Sequence, residues 1–149
     1  MDVDPKFFSL QPIQNTKRQK VKRLGIHSHA TAAVNGGYFV TKTRKAIACY
    51  FLKIHDTIID YTGGLGTTAI AMDSSGTVHF LNDLPQIASQ DSLWHRSYPN
   101  VLSAGPMLVY NGRQLFRSPQ TQDKRHPRTI IGMHADSTLT FLVIDGRQK

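Results

Sequence analysis

Glutamate is absent from this sequence, and cysteine occurs once, as Cys49. A single cysteine excludes an internal disulfide bond. Its place in the apolar run AIACYFL is typical of a buried small hydrophobic residue rather than a reactive thiol. All ten acidic residues are aspartates, so any carboxylate chemistry must come from aspartate side chains.

Long apolar runs are also missing. No stretch approaches the roughly 18 apolar residues that a transmembrane helix requires. The opening MDVDPKFFSL has two aspartates, a proline and no apolar core, unlike a signal peptide. We therefore expect no membrane span and no export signal, and the sequence leaves the localisation open. A length of 149 residues fits one domain, spanning 1–149.

The common metal and cofactor motifs do not occur. HExxH, CxxC and the phosphate-binding P-loop are absent, and GGLG at 63–66 lacks the lysine and helix that would follow it. His27 and His29 would share one face of a strand, but no third ligand has a set spacing from them. The sequence predicts neither a metal site nor a cofactor.

Basic residues, in contrast, are plentiful and clustered. Eighteen Lys and Arg face ten Asp, for a net charge of +8. Six of these cations lie between Lys6 and Arg23, and three more lie in 123–128. Such clusters indicate an anionic partner, which can be a nucleic acid, a polyanionic glycan or a phosphate-bearing substrate, or they form a solvated basic face.

Four strand–turn–strand units dominate the rest of the chain. Each consists of β-branched and aromatic runs around turn-forming residues. The turns are centred on His55-Asp56, Ser74-Ser75-Gly76, Asn111-Gly112 and Ala135-Asp136-Ser137. Residues 17–32 and 84–96 are the candidate helices. The sequence thus predicts an α+β fold, mostly antiparallel or mixed β-sheet built from hairpins, with a few packed helices.

The octapeptide AVNGGYFV, residues 33–40, has two interpretations. Asn35-Gly36 between apolar residues is typical of a tight hairpin turn. Alternatively, two glycines let the backbone approach a ligand, and the Asn35 amide both donates and accepts hydrogen bonds. The aromatic rings of Tyr38 and Phe39 suit either contact with a ligand or the core.

Three further segments also join strand ends to turns, where binding groups are often placed. Together with the Asn-Gly-Gly segment they supply an amide, a guanidinium, a carboxylate and glycines. Each has a purely structural alternative: a bend, a surface cation or a turn. The three segments are Ser103-Ala104-Gly105-Pro106, His126-Pro127-Arg128-Thr129 and Asp145-Gly146-Arg147.

Taken in their order along the chain, the four segments resemble those of the phosphodiester glycosidase family. Its members carry an Asn-Gly-(Gly/Ser)-Tyr-Phe segment, a Ser/Ala-Gly-Pro segment before a strand, an Arg-Thr-x-Ile-Gly segment and an apolar strand ending Asp-Gly-Arg. This chain has NGGYF, SAGPMLV, HPRTIIG and FLVIDGRQ. The resemblance implies hydrolysis of the glycosidic bond of a sugar-1-phosphodiester or related exopolysaccharide, and a secreted, envelope or lumenal setting.

The resemblance also implies roles for particular residues. Arg128 would hold the phosphate, and Asp145 would act beneath the anomeric carbon as nucleophile or base. The residues expected to bind substrate are Asn35, Gly36, Gly37, Tyr38, Gly105, His126 and Arg147. The expected partner is a glycan or sugar phosphate.

One departure from the family pattern concerns the C-terminal side of Asp145-Gly146-Arg147. Family members continue with a Gly-rich turn, a helix bearing a glutamate and an Asn-Leu-Asp-Gly-Gly-Gly-Ser segment. Without these we expect an incomplete domain with impaired activity. The apolar strand TLTFLVI is expected to be covered on both faces in a complete domain; here it would bare apolar surface and leave an open edge that favours self-association. The alternatives are a non-catalytic glycan- or anion-binding form and a basic nucleic-acid-binding protein.

Overall fold

A computed structural model describes residues 1–59, 61–115 and 126–146. The fold is mostly β, with antiparallel pairing between all of its named strands. The strands are β1 Asp2–Val3, β2 Leu52–Ile54, β3 Thr57–Ile59, β4 Thr68–Met72, β5 Val78–Asn82, β6 Asn100–Ala104, β7 Val109–Tyr110, β8 Arg113–Gln114, β9 Arg128–Met133 and β10 Leu139–Ile144. They form a five-stranded sheet, β3-β2-β6-β4-β5, a three-stranded sheet, β1-β10-β9, and the separate pair β7-β8.

All four predicted hairpins are present, because their turns are specified locally. His55 and Asp56 have φ of 46° and 63°, and Asn111 and Gly112 have φ of 49° and 71°. Two consecutive left-handed residues form the tight turn whose twist matches that of antiparallel strands. The α+β prediction therefore holds in its coarse form, with β-structure predominating. That residues 1–149 form one domain stays a prediction.

The helices are shorter than the sequence predicts. They are α1 Val21–His27, α2 Leu84–Gln90 and a 3₁₀ turn at Trp94–Ser97. The Asp83 side chain caps α2 by accepting from the Gln86 amide, and α2 ends at Asp91, whose backbone is extended. His27 ends α1 rather than lying on a strand. Within the described ranges, no helix is long and apolar enough to cross a bilayer.

The five-stranded sheet has a core on each face. One cluster joins Phe51, Ala69, Ala71 and Val101 to Leu84 of α2 and Trp94 of the 3₁₀ turn. On the other face, Ile70, Met72 and Val78 pack against Leu139 and Phe141 of β10. Helix α2 with the 3₁₀ turn, the five-stranded sheet and the three-stranded sheet thus form successive layers. All five residues of β4, in the middle layer, are buried.

Strand β10 is covered only along its first half. Leu139 and Phe141 are buried, but Leu142, Val143 and Ile144 are 48, 66 and 41% exposed. Coverage on both faces is the expectation for a complete domain, and in this chain the second half of β10 is exposed. The packed face of the larger sheet reaches only the first residues of β10, so the remainder extends into solvent.

A buried lysine ties the larger sheet to the 3₁₀ turn. Lys53 is 4% exposed. Its Nζ donates to Asp56 Oδ1 at 2.8 Å and to the carbonyl oxygens of His95 and Tyr98 at 3.0 and 2.9 Å. All three ammonium protons thus have acceptors, as a buried charge requires. Burial, followed by the positive charge of Lys53, lowers the pKa of His95 below its usual value.

The β4–β5 turn is organised by Asp73. Its Oδ1 accepts from the amides of Ser75 and Thr77, and its Oδ2 lies 2.8 Å from His79 Nε2. The hydrogen bonds from Ser75 and His79 lower the pKa of this carboxyl well below its usual range. These bonds fix the turn and leave both carboxylate oxygens engaged.

Candidate functional site

The Asn35–Gly37 segment lies directly on the backbone of β6. A β-carbon on Gly37 would stand 2.8 Å from the Ser103 carbonyl oxygen, and one on Gly36 would stand 3.1 Å from Leu102 Cδ2. Asn35 has a negative φ, and neither glycine is left-handed, so the interpretation as a tight hairpin turn is wrong. Glycine is needed at 37 because the two backbones approach closely.

Tyr38 connects this segment to the Ser-Ala-Gly-Pro segment. Its hydroxyl donates to the Gly105 carbonyl oxygen at 2.9 Å, across 67 positions of sequence. The ring stands edge-on to Tyr50, with centroids 6.0 Å apart. Tyr38 and Phe39 are 56 and 52% exposed, so the interpretation of this pair as core aromatics is wrong. Two of the four sequence segments are therefore neighbours, and an aromatic face between them is open to solvent.

Gly105 is held in place by Ser103 of its own segment and by Thr68, which belongs to none of the four segments. It has φ of +143°, and a β-carbon there would collide with Thr68 Oγ1. The Thr68 hydroxyl donates to the Ala104 carbonyl oxygen, and the buried Ser103 Oγ donates to the Thr68 carbonyl oxygen at 2.9 Å. Thr68 faces Ala104 across the β4–β6 pair, a non-local register that no sequence motif signals.

The other two segments meet at the far end of the β9–β10 pair. Arg128 is aligned with Ile144, so Asp145 follows immediately beyond the last paired residue. A β-carbon on Gly146 would lie 2.7 Å from the His126 carbonyl oxygen, which accounts for glycine at this position. The His-Pro-Arg and Asp-Gly segments thus lie side by side.

Arg128 and Asp145 are both exposed at this strand end. Arg128 Nη1 donates to the carbonyl oxygen of the preceding Pro127 at 3.2 Å. Within the part of the chain that the structure describes, no ion pair joins Arg128 to Asp145. The guanidinium can therefore receive an anionic ligand without first losing a carboxylate partner. Arg147 lies outside the described residues.

We call the contact of Asn35–Tyr38 with Gly105 the first junction, and the contact of His126–Arg128 with Asp145–Gly146 the second. The core between the two sheets connects them. Val34, one residue before Asn35, packs against the cluster that contains Phe141 and Ile131. At about 3.3 Å per residue along a strand, Arg128 lies roughly 10 Å from Ile131 and Asp145 lies roughly 13 Å from Phe141. That Asn35, Arg128 and Asp145 face one cleft stays a prediction.

Two surface depressions have basic linings. One is lined by Lys20, Lys22, Arg23, Ile26 and His27, and the other by Lys17, Arg18 and Arg44. Neither includes a residue of the two junctions. In the described ranges, no group of three or more His, Cys or Asp side chains is placed to hold a metal ion.

Comparison with known families gives a match over most of the chain. A family model described as phosphodiester glycosidase matches residues 28–149. The match begins at the end of α1 and includes both junctions. No individual curated protein gives a significant match.

Proposed function

Because this chain belongs to the phosphodiester glycosidase family, we propose that it hydrolyses the bond between a sugar anomeric carbon and a phosphodiester. The observation that carries the proposal is the hydrogen bond from Tyr38 to Gly105. It joins two distant family segments into one wall, with an exposed aromatic face beside the exposed Asn35 amide. An aromatic face and an amide are groups suited to a sugar.

The phosphate half of the substrate requires charge stabilisation. Cleavage at the anomeric carbon releases a phosphate monoester, whose second pKa is about 6, so the leaving group needs little help from a general acid. It needs its charge held, and a planar guanidinium does so through two parallel hydrogen bonds. Arg128 is exposed and has no carboxylate partner among the residues that the structure describes, which supports this role, and His126 is two positions before it.

The sugar half requires a carboxylate near the oxocarbenium-like centre. It acts either as a nucleophile or as the base that activates water. Asp145 follows β10 immediately, beside the strand end that carries Arg128, which supports its candidacy. Asn35 would bind sugar hydroxyls or an N-acyl group, Tyr38 would stack on the ring, and Gly36 would permit close approach. Water supplies the hydroxyl of the released sugar.

The test is turnover of the methyl phosphodiester of a hexose 1-phosphate, followed as reducing sugar and methyl phosphate released. We expect Arg128→Lys to lower kcat about a hundredfold, because an ammonium lacks the planar fork. Asp145→Asn should also lower kcat, since an amide neither attacks the anomeric carbon nor accepts a proton. Arg96→Lys, a matched change on the exposed 3₁₀ turn, is the control. Equal rates for Arg128→Lys and the control would remove Arg128 from the mechanism.

A second candidate function is binding of a glycan or anion without turnover. The exposure of Asp145 favours it, because a carboxylate in water is weakly nucleophilic and no glutamate is present to replace it. Calorimetric titration with the same diester separates the two functions. Binding with release of sugar supports hydrolysis, and binding without release supports the second candidate. Absence of binding contradicts both.

A further inference from the structure

The positive charge of this chain arises in one part of the sequence. Residues 5–55 contain ten Lys and Arg and no acidic residue, whereas the rest of the chain carries the other eight basic and all ten acidic residues. Residues 5–55 therefore carry a net charge of +10 and the rest of the chain −2, which gives +8 for the whole. Such an uncompensated stretch attracts anions from a distance.

The fold concentrates these cations further. Lys17 and Lys45 are paired across an antiparallel bridge. The Arg18 amide donates to the Arg44 carbonyl oxygen at 3.2 Å, and the Ala46 amide donates to that of Thr16 at 3.1 Å. Two basic segments separated in sequence thus run side by side, with α1 following directly. We name as the basic surface the exposed side chains of Lys17, Arg18, Lys20, Arg23, Arg44 and Lys45.

No carboxylate of the described chain neutralises this surface. Asp4 and Asp56 are the nearest acidic residues in sequence, and Asp56 is paired with Lys53 at 2.8 Å. Lys53 itself is buried, with three acceptors, and does not contribute to the surface. The six exposed cations therefore remain available to an external anion.

The basic surface is continuous with the wall that carries Tyr38. The Cys49 amide donates to the Tyr38 carbonyl oxygen and the Val40 amide to that of Ile47, both at 2.9 Å. Residues 38–40 and 47–49 thus pair, and 41–46 connect them. Lys45 lies four residues before Cys49, which pairs with Tyr38, so at about 3.3 Å per extended residue Lys45 is roughly 13 Å from that pair. A polymer held at Tyr38 can therefore reach Arg44 and Lys45.

From this placement we propose that the basic surface binds an anionic glycan, along the part of the glycan that extends beyond the sugar held at Tyr38. The inference rests on the proposed function, because it extends the sugar site along the substrate. The bound charges are phosphodiesters or carboxylates that recur along the glycan. Residues 9–37 and 40–49 contain no Phe, Tyr or Trp, so no such ring is interleaved with these cations, and nucleic-acid bases could stack beside them only at Tyr38 and Phe39. Charge alone is recognised there.

The test compares polymer binding by two double variants of the full chain. Arg18→Gln with Arg44→Gln changes the basic surface, and Arg96→Gln with Arg113→Gln removes the same charge from exposed positions elsewhere. The probes are a phosphodiester-linked polysaccharide, polygalacturonate, neutral dextran and a single-stranded oligonucleotide of similar charge. Affinity is measured by fluorescence anisotropy at several salt concentrations.

We expect the wild-type chain to bind at least one anionic glycan and not dextran. The Arg18/Arg44 variant should bind about tenfold more weakly and with a shallower salt dependence, and the control variant should differ by less than about threefold. A preference between the two glycans identifies phosphate or carboxylate as the ligand charge.

Equal affinity of the two variants, binding to dextran, or tighter binding to the oligonucleotide would each overturn the proposal. The hexose 1-phosphate diester separates the two hypotheses, since it is too short to reach the basic surface. Its hydrolysis should be unchanged in the Arg18/Arg44 variant. Loss of polymer binding with intact hydrolysis supports the basic surface, whereas absent hydrolysis with intact polymer binding contradicts only the proposed function.

Discussion

The two junctions that bring the family segments together are built differently. At the first, Gly37 and Gly105 leave no room for a side chain, and Tyr38 is hydrogen-bonded across the junction. At the second, Arg128 and Asp145 extend from the exposed end of the β9–β10 pair. The difference suggests that the first junction supplies a fixed shape, whereas the second supplies charge. Substitutions at the first should therefore change stability, and those at the second should change ligand chemistry.

The largest expected effect is that of Gly105→Ala. A β-carbon would collide with Thr68 Oγ1, and φ of +143° is strained for an L-residue. Strain and overpacking together should lower the free energy of unfolding by about 3 kcal/mol, measured by urea denaturation. Gly132→Ala is the control, because a β-carbon there meets nothing within 4 Å. Equal destabilisation by the two changes would mean that the first junction is not fixed by packing.

A smaller effect is expected at the Asn-Gly-Gly segment. Gly37→Ala places a β-carbon 2.8 Å from a backbone oxygen, so we expect a loss of about 2 kcal/mol. Gly36→Ala meets the end of the Leu102 side chain, which can move, and should cost about 1 kcal/mol or less. The urea concentrations at which the two variants are half unfolded give the comparison. If Gly36→Ala proves the costlier change, close approach to β6 does not explain this segment.

The smallest effect on stability is expected for Tyr38→Phe. It removes one hydrogen bond at an exposed position, worth about 0.5–1 kcal/mol, and leaves the ring contact with Tyr50. Tyr110→Phe, on the β7–β8 hairpin, is the matched control and should change stability by less. Thermal unfolding followed by circular dichroism distinguishes them. An unchanged melting temperature for Tyr38→Phe would indicate that this bond does not hold the two segments together.

Local chemistry made much of this fold predictable from sequence. The four hairpins are specified by turn residues such as Asn111-Gly112, whose left-handed conformations follow from the short polar side chain of Asn and the missing β-carbon of Gly. Helix α2 was placed correctly at its start, where Pro85 suits the first turn, but its end at Asp91 was missed. Each of these outcomes depends on a few neighbouring residues.

The parts that could not be predicted depend on non-local contacts. The sequence offers a turn or a close approach to a ligand for the glycines of Asn35-Gly36-Gly37, yet their neighbours are Leu102 and Ser103 on β6. Thr68 reaches Gly105 only because β4 and β6 pair in one particular register. Similarly, the point at which β10 becomes exposed, after Phe141, depends on how far the larger sheet extends. No local pattern encodes these relationships.

The central claim is that both junctions bind one ligand. The most direct measurement is a titration of the ¹⁵N-labelled chain with the methyl phosphodiester of a hexose 1-phosphate, followed by amide chemical shifts. We predict that the amides of Asn35, Gly36 and Gly37 shift together with those of Asp145 and Gly146, and that all of them fit a single Kd. Shifts confined to one junction, or two different dissociation constants, would contradict the claim.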